Sequence, residues 1–341
     1  MKKFLAALLF VVLAASLCFA STEYPVTIEN GNRKVTFYSA PNRVITNCDG
    51  NIIEMLLALG LRDKIIGYAG PFTEDKISPE YRWALSGIPA LSKKYIDFKT
   101  LYKAKPDLFI SGYKYGLDDI DKKKGLTPEV LAKNFIKTYA ITDSTPVSLE
   151  NIYTDIENLG IIFDVQDKAD DIIYSMKVDA DIIVRRVSAM RIRKPLNVFI
   201  YTGCDKSGNF LCSVGNKNIV NSLLEMVKAH NIFSDVNDSD IQVQWQDVIK
   251  RNPDVIIILE SCMKSGEKYK QAILRNPLLK RIKAVRNKRI NIVPIENVYQ
   301  GVRAVKGLEL ITRSLYPEYR HKYRNVNRYH RFNRHYLRRC K

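Results

Sequence analysis

At 341 residues, with 46% hydrophobic and 26% charged positions, the chain is long enough for two ordinary domains and too apolar to remain disordered. The formal net charge of +18 is uneven, because nine Lys or Arg and no acid fall within residues 320–341, so half of the excess sits in the last 22 residues. Six cysteines without a CxxC spacing give a structural zinc or a thioredoxin-like centre no footing.

The first twenty residues read as a targeting segment. Lys2 and Lys3 supply a positive start, residues 4–17 are almost wholly apolar, and Cys18-Phe19-Ala20 suits signal-peptidase cleavage. The mature chain is therefore expected to begin at Ser21 and to work outside the cytoplasmic membrane, in a periplasmic setting. The apolar run is short for a membrane span. Acylation of Cys18 is the weaker alternative, since Leu17 rather than a small residue precedes it. Cleavage would leave Cys48, Cys204, Cys212, Cys262 and Cys340, an odd number. Cys204 and Cys212 flank a short Gly-containing loop, where an oxidising compartment would allow a disulfide; buried free thiols are the alternative.

Beyond the targeting segment, a strand pair is expected around "YPVTIEN" and "RKVTFY", then "RVIT" as a short strand. A turn over residues 47–50 leads into "NIIEMLLALGL", where Ile52, Ile53, Leu56, Leu57 and Leu59 recur at helical spacing and Gly60 marks the stop. "KIIGYAG" returns as a strand. "FKTLYKA" is a helix ended by Pro106, "DLFISG" a buried strand, "TPEVLAKNFI" a helix and "KTYAIT" a strand. This alternation implies a mainly parallel sheet covered on both faces, assigned to residues 21–163.

From 148 to 190 the pattern is helical almost throughout, and a helix longer than the globular average, assigned to 164–191, reads as a rigid spine between halves. At Pro195 the grammar restarts. "LNVFIYTG" is a strand, "NIVNSLLEMVKAH" and "WQDVIKR" are helices, "DVIIILES" is a strand, "YKQAILRNPLLK" a helix and "RINIVPI" a strand. This second lobe is assigned to 192–318 and a basic tail to 319–341. "KAKPDLFISG" and "KRNPDVIIILES" are then equivalent pieces of two similar lobes. The expected fold is α/β: two such lobes, each a mainly parallel sheet flanked by helices, joined by one long helix, with a cleft between them.

The tail interleaves Arg with Tyr, Phe and His, a composition able to stack on bases and neutralise phosphates, although nucleic acid is not an expected partner of an exported chain. A solvated tail or an anionic membrane surface fits better. His321, His330 and His335 lie here without a scaffold to hold a metal.

Taken together, the segment from "YPVTIEN" through "RDKIIG", the two Pro-Asp strands, "SLLEMVKAHNIFSDV" and "GLELITRSLYPE" resemble the substrate-binding proteins of ABC importers for iron siderophores, haem and cobalamin, over roughly residues 24–318. The resemblance implies a monomer of two α/β lobes that closes only slightly around a large ligand and delivers it to a permease in the cytoplasmic membrane. It implies no resident cofactor. Ligand-holding loops carried over by position contain Asn47, Tyr68, Tyr113, Lys114, Tyr115, Tyr201, Lys264, Tyr299 and Arg303. Aromatic walls with a few cations suit a large planar or anionic chelate. Docking to the permease is expected through an exposed Glu on each lobe. Glu225 in "SLLEMV" fits the carboxyl-lobe position, whereas Lys99 stands at the amino-lobe position, so Glu54 or Asp97 would have to substitute.

An enzyme is the first rival, but no GxSxG elbow, HExxH pair or Walker loop is present, and Asp118, Asp119 and Asp121 form a surface run. His230, the one histidine outside the tail, is expected to end a helix. A membrane-surface protein acting through its basic tail is the second rival. Among ligands a ferric siderophore leads. Haem would need a Tyr axial ligand, because the pocket loops hold no His. Cobalamin would favour Trp-lined walls, and of the two tryptophans Trp83 rather than Trp245 is expected near the cleft. A free metal ion lacks a His and carboxylate cluster.

Overall fold

The computed structural model describes residues 21–112, 126–141, 146–204, 210–261 and 265–322, without the side chains of Cys204 and of 320–322. Residues 1–20, expected as a signal segment, Tyr113, Lys114, Tyr115, the Asp118–Asp121 run, Cys262, Lys264 and the tail from 323 lie outside the described residues. An antiparallel hairpin, β1 (Val26–Asn30) with β2 (Arg33–Phe37), opens the fold. Asn30 docks it on the first sheet: its Nδ2 donates to the Ala140 carbonyl at 2.7 Å and its Oδ1 accepts from the Ala140 N–H at 2.8 Å.

The amino-terminal sheet holds β3 (Val44–Asn47), β4 (Ile65–Ala69), β5 (Ala90–Ser92), β6 (Leu108–Gly112) and β7 (Lys137–Ile141) in the order β5-β4-β3-β6-β7, all parallel. Its connecting helices are α1 (Asn51–Ala58), α2 (Pro79–Arg82), α3 (Phe98–Ala104) and α4 (Pro128–Lys133). α5 (Leu149–Phe163) and the 24-residue α6 (Gln166–Ala189) lead across to the second lobe. There β8 (Leu196–Tyr201), β11 (Ala229–Asn231), β13 (Val255–Glu260) and β14 (Ile290–Pro294) form a parallel sheet ordered β11-β8-β13-β14. β9 (Gly203–Cys204), β10 (Leu211–Val214) and β12 (Asp240–Val243) make a separate antiparallel ribbon. The remaining helices are α7 (Ile219–Met226), α8 (Trp245–Arg251), α9 (Gly266–Arg275), α10 (Lys283–Arg286), α11 (Ala304–Leu315) and α12 (Pro317–Lys322).

The repeated Pro-Asp sequence performs the same task twice. α3 and α8 each end on a left-handed residue, Lys105 at φ 50° and Asn252 at φ 46°, and the following proline stops the helix. The aspartate then brackets the neighbouring strand. Asp107 donates its N–H to the Arg43 carbonyl at 3.0 Å, while its carboxylate accepts the N–H groups of Asn42 and Arg43 at 2.8 and 2.9 Å. Asp254 donates to the Asn197 carbonyl at 2.8 Å and accepts the Asn197 N–H at 2.9 Å. Each aspartate thus fixes the register of the central strand pair, β3 with β6 and β8 with β13.

Strand alternation divides the interior. Leu108 and Ile110 of β6, and Val198 and Ile200 of β8, face one large core that runs through both lobes and takes in the apolar stripe Ala169, Met176, Ala180, Ile183 and Val187 of α6. Phe109 faces a smaller core on the outer side of the amino lobe, and Phe199 and Tyr201 face another in the carboxyl lobe. α5 and α6 cross closely at Gly160, where a Cβ would stand 2.6 Å from Ala169 Cβ. Among the described residues no helix is long and apolar enough to cross a membrane.

Two local expectations are corrected. The helix expected through His230 ends at Met226; Lys228 turns at φ 55° and His230 lies exposed on β11. The antiparallel ribbon replaces what the sequence suggested was loop. Its register sets Leu211 opposite Cys204 and Cys212 opposite Gly203.

Candidate functional site

Parallel strands deliver their following loops to one edge, and the loops after β3, β4 and β14 bring the two lobes together there. Arg303, ahead of α11, places Nε 2.7 Å from Glu54 Oε2 on α1. Asn51 Nδ2 donates to the Gln300 carbonyl at 2.6 Å, and Lys76 Nζ lies 3.7 Å from Glu296 Oε1. Gly301 permits this approach, since a Cβ there would sit 3.1 Å from Asn51 Cβ. Glu54 is 1% and Arg303 15% exposed, so the pair is screened from water. Burial raises the Glu54 carboxyl above the usual carboxylate range, although Arg303 and the Ser78 N–H pull the other way.

The amino-lobe side of this edge carries Tyr68 against Phe72, ring centres 5.3 Å apart, and Asp49, whose Oδ1 accepts from the Tyr95 hydroxyl at 3.1 Å. Burial raises the Asp49 carboxyl, with the Tyr95 hydrogen bond opposing, and burial also raises the Cys48 thiol. On the carboxyl-lobe side Tyr201, at the end of β8, stacks on Trp245 at 6.2 Å and meets Tyr269 edge-on at 5.0 Å. Trp245 belongs here because α8 feeds into the start of β13 and must therefore begin at the opposite, carboxyl end of the sheet. This corrects the expectation that Trp245 lies away from the cleft. Trp83 is 65% exposed, with its Nε1 donating to the Glu80 carbonyl.

Other expected residues fall into place differently. Asn47 is wholly buried: its Nδ2 donates to Ser111 Oγ at 3.2 Å and its Oδ1 accepts the Ile96 N–H at 2.9 Å, so it braces strand ends instead of offering atoms to a ligand. Tyr68 and Tyr201 are buried and shape the walls through packing. Tyr299 is half-buried in the loop after β14, and Arg303 faces Glu54. Glu54 as a docking residue is corrected by its burial, because a carboxylate closed under Arg303 has no face for a partner. Glu225 is exposed on α7, accepting from Asn221 Nδ2 at 2.9 Å; Lys99 and Asp97 are exposed at the start of α3. Among the described residues no group of three or more His, Cys, Asp or Glu is placed to hold a metal ion.

A family model described as periplasmic binding protein matches residues 47–295. The chain belongs to the periplasmic binding protein family. A curated relative of this periplasmic binding protein, the uncharacterized ABC transporter substrate-binding lipoprotein YvrC of Bacillus subtilis strain 168, is 25% identical over 300 residues, covering 86% of this chain and 87% of the relative. A periplasmic binding protein from Veillonella parvula shares the fold with a TM-score of 0.73 at 24% identity, over 85% of this chain and 96% of that one. An ABC-type Fe3+-hydroxamate transport system structure from Saccharomonospora viridis gives 0.71 at 24% identity, over 86% and 99%. The two-lobed architecture expected from the sequence is the architecture of this family. This periplasmic binding protein is accordingly the substrate-binding component of an ABC transporter, with a permease and a small-molecule ligand as its partners. The family is one of transport, not of turnover.

Proposed function

We propose that this protein captures a ferric siderophore outside the cytoplasmic membrane and hands it to its permease. The observation that carries the reading is the half-buried aromatic pair Trp245 and Tyr269, backed by buried Tyr201 at the carboxyl end of β8, with half-buried Phe72 backed by buried Tyr68 at the matching edge of the other lobe. Such π-faces suit a wide, partly planar chelate better than a small sugar or amino acid. No histidine stands in the pocket loops to bind haem iron. Export through cleavage before Ser21 and docking through Glu225, with Asp97 on the amino lobe, belong to the same proposal.

The test is an absorbance spectrum with native mass spectrometry on protein purified from its own host. A broad visible charge-transfer band with a matching ligand mass is the expected result. A Soret band would replace the siderophore with haem, and a corrin spectrum with cobalamin. The same spectra report the amino terminus: Ser21 is expected, and an acylated Cys18 would overturn the processing step.

A further inference from the structure

We infer that the base of the carboxyl lobe, the edge opposite its ligand loops, is a docking surface for an anionic lipid bilayer. The parallel sheet runs β11-β8-β13-β14, and the residues leading into its strands line up along this edge. They include Lys228 before β11, Lys194 before β8 and Arg289 before β14. The segment that closes the edge, "RNPLLKRIKAVRNKR" over residues 275–289, holds seven Lys or Arg and no acid. Lys280, Arg281, Arg286 and Lys288 within it are exposed.

Acids nearby are Asp235, Asp254 and Glu318, and two of these are already engaged. Asp235 pairs with Arg251 at 2.7 Å and Asp254 with Lys283 at 2.5 Å. The edge therefore keeps a surplus of positive charge, which a surface of phosphate headgroups attracts. An exposed aliphatic side chain sits among these cations: Leu278, on the short turn Pro277–Arg281, is 73% exposed. A soluble polyanion has no use for that methyl-rich tip, whereas the headgroup and acyl boundary of a bilayer would receive it. The end of α11 also arrives here. Tyr316 donates its hydroxyl to the Val227 carbonyl at 2.7 Å, and Arg289 donates to the Leu315 carbonyl at 2.6 Å, so that end is tied to the same edge.

The experiment is co-sedimentation of the purified protein with vesicles of phosphatidylcholine alone and of phosphatidylcholine with phosphatidylglycerol. Binding to the anionic vesicles only, lost when salt shortens the screening length to a few ångströms, is expected. Lys280→Glu with Arg281→Glu should weaken it about tenfold or more, and Leu278→Ser should weaken it at constant charge. A chain ending at Lys322 should keep the phosphatidylglycerol preference. Loss of binding on that truncation, with the Glu variants unchanged, would transfer the surface to the tail and overturn the inference. Equal binding to both vesicles, or retention on a soluble polyanion without vesicle binding, would overturn it as well.

Discussion

Asp107 and Asp254 show how one residue type can hold a lobe together. Each sits beside the first central strand and ties to the backbone there, Asp107 through three hydrogen bonds and Asp254 through two. Burial works to raise the Asp254 carboxyl, but hydrogen bonds from Lys283 and Asn197 outweigh it and hold the group below the usual carboxylate range. A carboxylate lowered in the native state stabilises the fold above its unfolded pKa, and that stability is lost as pH falls toward the native value. Asp254→Asn should cost about 1–3 kcal/mol near neutral pH. The deficit should shrink below about pH 4, where the unfolded carboxyl protonates. Urea midpoints across that range check this, and a pH-independent deficit would refute it. Arg303→Met should be more damaging, about 3–5 kcal/mol, since Glu54 would remain buried without a counter-charge. Adding Glu54→Leu should recover most of the loss in the same urea titration. The Pro-Asp pair was legible because proline and aspartate act through local geometry. Glu54 was not: its sequence neighbours give no hint of an arginine arriving from residue 303, so it reads as a surface acid.

Helices and strands were legible wherever a periodic apolar pattern met a stop signal, as in α1, α3, α8 and the stripe of α6. The antiparallel ribbon escaped because β9, β10 and β12 are too short to show a period, and although β9 pairs locally with β10, the other partner of β10 lies beyond α7 and β11. Trp245 escaped for a different reason: which end of the sheet a helix begins at follows from topology, not from composition. The crossing of α5 and α6 offers a test at this scale. Gly160→Ala would improve helix propensity by about 1 kcal/mol. The new methyl would nevertheless meet Ala169 Cβ at 2.6 Å, and overpacking should leave a net loss of about 1–3 kcal/mol. Ala169→Gly added to Gly160→Ala should restore the clearance and recover part of that loss. Thermal melts of the single and double variants distinguish these outcomes.

Both lobes and the spine share one core, so the body should unfold as a unit. Calorimetry is expected to give a single transition whose van't Hoff and calorimetric enthalpies agree, and two resolved peaks would show that the lobes are independent. The repeated grammar on either side of α6 made the two lobes visible in the sequence. Their common core was not, because that Ile52 and Leu159 join the same core as Ile219 and Val305 is settled by how the lobes dock onto the spine. The Arg303–Glu54, Asn51–Gln300 and Lys76–Glu296 contacts add polar ties across the same boundary. A body bound in this way has little freedom to change shape when cargo arrives. A transporter that senses only outline would then meet empty and loaded carriers as near equals, and unloaded protein in excess should queue at the permease and slow uptake.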